Sequence, residues 1–199
     1  MSLKLSTSRI EALSDGVFSI AMTLLVLKLE VPDVSHHSSN MEMLGQLMAQ
    51  TPAFISYVAT FLIAAGFWLL HHLTFHFIRH ADGLLCWINL ALLMFVSLLP
   101  FSAGMMGHLF VHSVSQVFYF GNQFAIASLL YLHLYYATHA RMAAIDSDPV
   151  AARRLTYRIA VLPIAFGGAI ATAFLAPMYS ILCFAAVFVA GIAVERLSR

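Results

Sequence analysis

The stretch RIEALSDGVFSIAMTLLVLKL, residues 9–29, decides the fold of this chain. It begins with a polar and charged cluster, and from Gly16 to Leu27 it is apolar except for Ser19 and Thr23. Roughly 20 residues at about 1.5 Å each span the hydrocarbon core of a bilayer, so the stretch is predicted to be a transmembrane helix. An ionisable group such as Asp15 inside the end of such a helix is costly, and it indicates a function.

The composition of the whole chain places it among integral membrane proteins. Its 199 residues are 61% hydrophobic and only 10% charged, and the mean hydropathy is +0.88. A water-soluble domain of this size carries more charge. The net charge of +1 and the lack of a basic block exclude a nucleic-acid partner. Cys86 and Cys183 lie in apolar runs, which predicts buried thiols and no disulfide.

Hydropathy along the chain predicts an all-α membrane domain over residues 1–199 with six transmembrane helices. The expected spans are residues 6–30, 52–76, 84–103, 114–138, 157–174 and 177–194. Leu44 to Met48 are expected to form a short interfacial turn. Thr51-Pro52 has the pattern of an N-cap followed by proline in the first turn. Asp148-Pro149 has the same pattern, which predicts that a helix begins there and runs into the fifth span.

The basic residues predict the orientation. With a cytoplasmic amino terminus, the outer side holds only Lys28. The cytoplasmic side then holds nine basic residues: Lys4, Arg9, Arg79, Arg141, Arg153, Arg154, Arg158, Arg196 and Arg199. Such an asymmetry follows the positive-inside rule. We therefore expect a multi-pass protein of the cell membrane with both termini in the cytoplasm.

The first helix has a face of bulky aliphatic side chains. At about 100° per residue, Ile20, Leu24 and Leu27 fall within an arc of about 60°, while Asp15 and Ser19 lie on another flank. Such a face either contacts lipid or packs in a bundle in most membrane helices. The polar flank is able to form hydrogen bonds with neighbouring helices.

This helix resembles the first helix of the transmembrane protein 175 family, which comprises lysosomal potassium channels of animals and half-length prokaryotic relatives. The family signature is Arg-x-x-x-Phe-Ser-Asp. Arg9, Ser14 and Asp15 match it, whereas Leu13 stands where phenylalanine is usual. Leu13 keeps an apolar side chain without the ring, which affects local packing. Further positions similar to the family are Trp68, His71 with His72 beside it, Asn89 and Pro100-Phe101, so the resemblance covers about residues 9 to 101.

The resemblance implies a homotetrameric potassium-permeable cation channel, which is not an enzyme and carries no cofactor or metal. Its pore is lined by the first helix of each chain. The implied braces of that helix are Arg9, Leu13, Ser14 and Asp15, with Trp68, His71 and Asn89 as partners. Ile20, Leu24 and Leu27 become a hydrophobic constriction, which blocks ions when it is narrow. The chain has no Thr-Val-Gly-Tyr-Gly filter, so Ser19 and Thr23 are the candidate selectivity residues.

Two other functions remain open at this point. One is a proton- or cation-coupled transporter in which Asp15 is the exchanging group. The other is a haem- or metal-binding redox protein, because His72, His76 and His80 are spaced by four residues, as ligands on one helix face are. Against the second, these histidines approach the membrane surface beside Arg79 and Asp82, where histidine is common as a polar tip.

Overall fold

The computed structural model describes residues 6–33, 39–109, 111–143, 148–175 and 179. The regular secondary structure of these residues is helical, and Ile78 and Ala143 form an isolated antiparallel bridge. The helices are α1 (Thr7–Leu24), α2 (Asn40–Ala49), α3 (Thr51–Phe77), α4 (Gly83–Ser97), α5 (Leu99–His108), α6 (Ser113–His139) and α7 (Pro149–Leu175). A 3-10 helix over Leu25–Lys28 continues α1.

Five helical segments of the described chain are long and apolar enough to cross a membrane. They are Thr7–Lys28, Thr51–Phe77, Gly83–His108, Ser113–His139 and Pro149–Leu175. The expected sixth span, residues 177–194, lies outside the described residues except for Tyr179. The protein is therefore an all-helical membrane protein, as the composition predicts.

The third span differs from the expected segment of residues 84–103. It runs from Gly83 to His108 and is divided at Leu98 into α4 and α5. Pro100 explains the division, because proline has no backbone N–H to donate to the preceding turn and is best accommodated in the first turn of a new helix. Pro100 occupies that position in α5. The sequence pattern placed this proline near the end of the span, where it instead starts a further helix.

The loop after α1 contains a complete helix where a short turn at Leu44 to Met48 was expected. Ser39 begins α2 with a capping box, in which its hydroxyl accepts the Glu42 N–H and the Glu42 carboxylate accepts the Ser39 N–H. Thr51 is not the N-cap of α3, because Gln50 holds that position and the Thr51 hydroxyl donates to the Met48 carbonyl instead. Pro52 lies in the first turn, as its position predicts.

α6 lies at the centre of the described bundle, where it packs along α7 and against α4 and α5. α5 also packs against α3, and α1 lies in the groove between α3 and α4. The fully buried apolar side chains of this core include Phe18, Leu92, Leu99, Phe120, Ile126 and Ile159. α5 and α3 approach closely at Gly107, where a Cβ would lie 2.9 Å from the Ala53 Cα. This arrangement leaves one side of α1 uncovered by the other described helices.

Candidate pore helix and its polar contacts

α1 has one buried face, which lies against α3 and α4. Ser14, Phe18, Ala21 and Leu25 are on this face, and none of them is more than 2% exposed. The spacing of three or four residues puts them in one row along the helix. Phe18 and Ala21 join the main core, while Ser14 brings a hydroxyl to the same face. That hydroxyl therefore needs a hydrogen-bond partner inside the bundle.

Asn89 of α4 links Ser14 to His71 of α3 in a buried polar network. The Asn89 Nδ2 donates to the Ser14 Oγ at 3.0 Å, and the Ser14 hydroxyl donates to the Ile10 carbonyl at 2.9 Å. The Asn89 Oδ1 lies 2.8 Å from the His71 Nε2. Because an amide oxygen only accepts, this contact makes Nε2 the protonated ring nitrogen of His71. One amide thus joins three helices, and all three side chains are fully buried.

Asp15 is connected to α3 on the adjacent flank of α1. The Trp68 Nε1 donates to the Asp15 Oδ1 at 2.8 Å. The Trp68 ring stacks on the His72 ring with centroids 5.9 Å apart, and the His72 Nδ1 lies 3.0 Å from the Glu11 Oε1. The ion pair between His72 and Glu11 is present only when His72 is protonated. It contributes little to stability because both side chains are partly exposed. Directional contacts therefore fix two flanks of α1 against the bundle.

The other two residues of the signature lie apart from this network. Arg9 is exposed, and no residue in the described part of the chain forms an ion pair or hydrogen bond with its side chain. Leu13 is half exposed. Of the four expected braces, only Ser14 and Asp15 are thus brought together with the three expected partners.

The remaining face of α1 is uncovered. Ile20 is 60% exposed, Leu24 42% and Leu27 70%. The helix changes to 3-10 geometry at Leu25, and residues three apart eclipse in that geometry, so Leu27 stays above Leu24. Ser19 and Thr23 are exposed on the same side, and the Thr23 hydroxyl donates to the Ile20 carbonyl at 2.8 Å. This face offers an apolar row with two hydroxyl groups beside it.

The four-spaced histidines do not form a row on one helix. α3 ends at Phe77, with Ile78 as its C-cap in an extended conformation, so His80 lies beyond the helix. His72 pairs with Glu11, and the rings of His76 and Phe77 meet edge to face. Among the described residues, no three His, Cys, Asp or Glu side chains come together as a set of metal ligands. The regular spacing of His72, His76 and His80 therefore does not correspond to one helix face.

The structure adds a buried histidine that the sequence interpretation missed. His133 of α6 is fully buried, and its ring stacks on His71 with centroids 5.9 Å apart and lies 5.2 Å from the Phe75 ring. Nearer the amino-terminal end of α6, the Tyr119 hydroxyl lies 3.0 Å from the Thr60 hydroxyl. Polar side chains recurring on one face of an otherwise apolar helix are the signal for these contacts. In α6 that face includes Ser115, Tyr119, Asn122 and His133.

Residues 9–100 match a family model described as the endosomal/lysosomal potassium channel TMEM175. A potassium channel of Streptomyces collinus is 38% identical over 100 residues, which make up 50% of this chain and 47% of that relative. The human endosomal/lysosomal proton channel TMEM175 is 35% identical over 101 residues, or 48% of this chain and 20% of that protein. The chain thus covers about half the length of the bacterial relative it matches.

The whole fold is similar to a solved structure. The crystal structure of a lysosomal potassium-selective channel TMEM175 homolog from Chamaesiphon minutus superposes with a TM-score of 0.80. The two chains are 28% identical, and the superposition covers 97% of this chain and 98% of the other. The family match, the curated relatives and the solved structure agree with one another and with the motif on α1. Over residues 9–100 this chain is therefore similar to the TMEM175 family of ion channels, and its whole fold is similar to that of a TMEM175 homologue.

Proposed function

We propose that this chain assembles as a homotetramer into a potassium-permeable cation channel whose pore is lined by α1. The observation that carries the proposal is the contrast between the two sides of this helix. One side is buried and fixed by Asn89 and Trp68, while the other leaves Ile20, Leu24 and Leu27 uncovered. The relatives that are named potassium and proton channels support a monovalent cation as the permeant species.

An oligomer is a physical requirement of this proposal. A pore lined by α1 needs several copies of the helix around one axis, because each chain contributes a single α1. The uncovered row on α1 is the surface that faces the axis. Four copies complete a narrow ring, and the assembly leaves the lipid-facing helices of each chain on the outside.

The row of aliphatic side chains acts as a hydrophobic gate. A narrow apolar ring loses its water, and an ion entering it gives up hydration without replacement ligands. The closed channel therefore needs no charged side chain to block the pore. The carbonyl groups in the interior of α1 accept helical hydrogen bonds, so that part of the helix offers no carbonyl filter. The hydroxyl oxygens of Ser19 and Thr23 adjoin the gate and supply the polar contacts that bias the channel toward potassium.

The proposed location is the cell membrane, with both termini and the amino-terminal end of α1 on the cytoplasmic side. Arg9 then lies at the inner mouth of the pore and Lys28 at the outer mouth, in agreement with the positive-inside rule. Lys28 packs against α5 at this outer mouth, where a Cβ on Gly104 would lie 3.1 Å from its Cδ.

Proton permeation through the same pore is the second candidate function. It is favoured by the human relative, which is named a proton channel. Water that enters an opened gate would carry protons as well as hydrated cations. A pH-sensitive dye enclosed in the same liposomes measures proton flux beside potassium flux.

The test compares Ile20→Asn with Ile164→Asn in purified, reconstituted protein. Both wild-type residues are exposed isoleucines, at 60% and 76%, but Ile164 lies on α7, away from the proposed pore. Ile20→Asn is expected to hydrate the constriction, raise basal cation flux and weaken the preference for potassium over sodium. Ile164→Asn should leave flux per assembled channel unchanged. Native mass spectrometry supplies the subunit number and the assembled amount that normalises each flux.

Wild-type conductance and selectivity in well-assembled Ile20→Asn protein would refute a pore along this face. An equal rise in both variants would indicate leakage from a disturbed membrane. Leu24→Ala is a milder variant, because it widens the ring without adding a polar group. It should increase flux in the same direction with a smaller loss of selectivity.

A further inference from the structure

α7 carries three arginines and a tyrosine near its amino-terminal end. Arg153, Tyr157, Arg154 and Arg158 fall within an arc of about 140°, at about 100° per residue. Arg153 and Arg154 are exposed, and so is Tyr157. The Arg153 guanidinium lies 5.4 Å from the centre of the Tyr157 ring and donates to its hydroxyl at 3.3 Å. The side chains thus form a basic and aromatic surface along about one and a half turns.

This surface continues the side of α7 that faces away from the other described helices. Leu155, Ile159 and Phe166 on the opposite side are buried against the bundle. Val161 and Ile164, which share the arc of the arginines, are exposed apolar residues. In a membrane protein, such an exposed apolar row contacts lipid. The arginines therefore lie at the end of a lipid-facing row, directly where the acyl chains give way to headgroups.

The length of α7 also places the arginines at the boundary between acyl chains and headgroups. Its 27 residues extend over about 40 Å, whereas the hydrocarbon core is about 30 Å thick. Counting roughly 20 residues back from Leu175 reaches the start of the hydrocarbon near Thr156. Arg153 and Arg154 then lie among the headgroups, and Arg158 lies within one turn of them. A long arginine side chain at that depth extends back to the interface.

Neighbouring groups favour an anion on this surface. Within the described residues, none of the three arginines forms an ion pair with a carboxylate. Tyr135, at the adjoining end of α6, is exposed and lies 3.9 Å from the His139 ring, centre to centre. Tyrosine is enriched where membrane proteins meet the headgroup layer. Guanidinium groups without a carboxylate partner bind phosphate through paired N–H donors, and the aromatic rings pack against glycerol and upper acyl carbons.

We propose that Arg153, Arg154, Tyr157 and Arg158 form a binding surface for the headgroups of anionic phospholipids. The phosphate accepts hydrogen bonds from the arginines, while the acyl chains lie along Val161 and Ile164. The surface is distinct from the α1 face, and it does not depend on what the pore conducts. It belongs to a part of the chain beyond the family match at residues 9–100.

The test uses the double variant R154Q/R158Q of the full chain in a neutral detergent. No described residue pairs with either side chain, so their loss leaves the internal contacts intact. The matched control is R79Q/R141Q, which removes the same charge from exposed arginines near the Ile78–Ala143 bridge. Short-chain phosphatidylglycerol is titrated, with phosphatidylcholine and inorganic phosphate as comparison probes, and bound lipid is counted by native mass spectrometry.

The wild type should bind phosphatidylglycerol more tightly than phosphatidylcholine, and salt should weaken the difference. Each basic group near a membrane surface changes affinity about fivefold, so R154Q/R158Q should bind phosphatidylglycerol roughly 30-fold more weakly. The control should retain wild-type binding, and R154K/R158K should retain most of it because the charge remains. If R154Q/R158Q does not assemble, the single R154Q variant is measured instead, and its affinity for phosphatidylglycerol should fall about fivefold.

Three results would overturn the proposal. The first is unchanged phosphatidylglycerol binding in an assembled R154Q/R158Q protein. The second is an equal loss in R79Q/R141Q, which would mean that net charge alone sets binding. The third is binding of inorganic phosphate as tight as that of the lipid, which would make the surface a site for free anions.

Discussion

Asn89→Leu is the substitution that tests the polar network behind α1 most directly. Leucine has a similar volume, so the change removes hydrogen bonds without opening a large cavity. Two contacts are lost, the 2.8 Å contact with His71 and the 3.0 Å bond to Ser14. Hydrogen bonds between membrane helices contribute about 0.6 kcal/mol on average and up to about 1.7. The expected loss in the free energy of unfolding is therefore about 1–3 kcal/mol.

A double-mutant cycle separates the Ser14–Asn89 bond from other effects of the change. Ser14→Ala removes the same bond from the other partner, so the two single costs count it twice. The double variant should be less destabilised than the sum of the singles by about 0.6–1.7 kcal/mol. Ser97→Ala is the control, because Ser97 is an exposed residue of α4 whose hydroxyl donates only to the Met94 carbonyl. Denaturant titration of the assembled protein in mixed micelles supplies the four free energies.

The cycle has a clear refuting result. If the double variant costs the full sum of the single variants, Ser14 and Asn89 do not interact, and the network does not fix α1. A cost for Ser97→Ala as large as that for Ser14→Ala would likewise indicate that any lost hydroxyl weakens the bundle. The same variants should elute as the wild-type oligomer before they are titrated.

Two further predictions concern the carboxylates. Asp15→Asn keeps an oxygen that accepts from Trp68 Nε1, so it should retain assembly and flux, whereas Asp15→Ala should destabilise the protein by about 1–3 kcal/mol in the same titration; loss of flux in an assembled Asp15→Asn protein would instead favour a transporter in which Asp15 exchanges protons. At Asp82, burial raises the pKa, but hydrogen bonds from the Leu85 N–H and the Tyr136 hydroxyl outweigh it and lower the pKa below 3.8. Because the pKa of Asp82 is lower in the folded than in the unfolded state, its carboxylate stabilises the fold fully above the unfolded pKa, and this contribution is lost as the pH falls through the folded pKa. Wild-type thermal stability should therefore drop below pH 3.8, and Asp82→Asn should flatten that drop. Parallel curves for the two proteins would contradict this.

The membrane class and the helical fold could be predicted because they depend on local patterns, whereas the partners of the α1 network were implied by the resemblance to the family. Apolar runs of sufficient length predict spans whatever the tertiary structure is. The motif on α1 placed Ser14 and Asp15 toward the bundle, and the structure brings them to Asn89 and Trp68. Exposure of Ile20 followed from the same helical geometry. The spans and the polar flank of α1 need only the period of a helix and the cost of an unpaired polar group in lipid, but the choice of Asn89 and Trp68 as partners came from the resemblance.

Other features could not be predicted because they depend on contacts between distant segments. The spacing of His72 and His80 has the period of a helix, but α3 ends between them, where the Arg79 N–H donates to the Met142 carbonyl at 2.9 Å. Arg9 matches the motif, yet its exposure depends on which helices surround it. The place of His133 beside His71 depends on how α6 packs, and a histidine in an apolar run does not indicate its neighbour.

The polar contacts of α1 have a role that apolar packing alone does not provide. Between membrane helices there is no strong hydrophobic driving force, because lipid is as apolar as the side chains it replaces. A helix held only by aliphatic contacts is therefore able to rotate about its axis at little cost. Bonds from Asn89 and Trp68 reach α1 from two different helices, and a rotation by one residue position, about 100°, breaks both. If the proposed function is correct, this angular restraint keeps Ile20 and Leu24 directed at the pore axis. The network then determines which side chains line the gate, although it does not contact the ion itself.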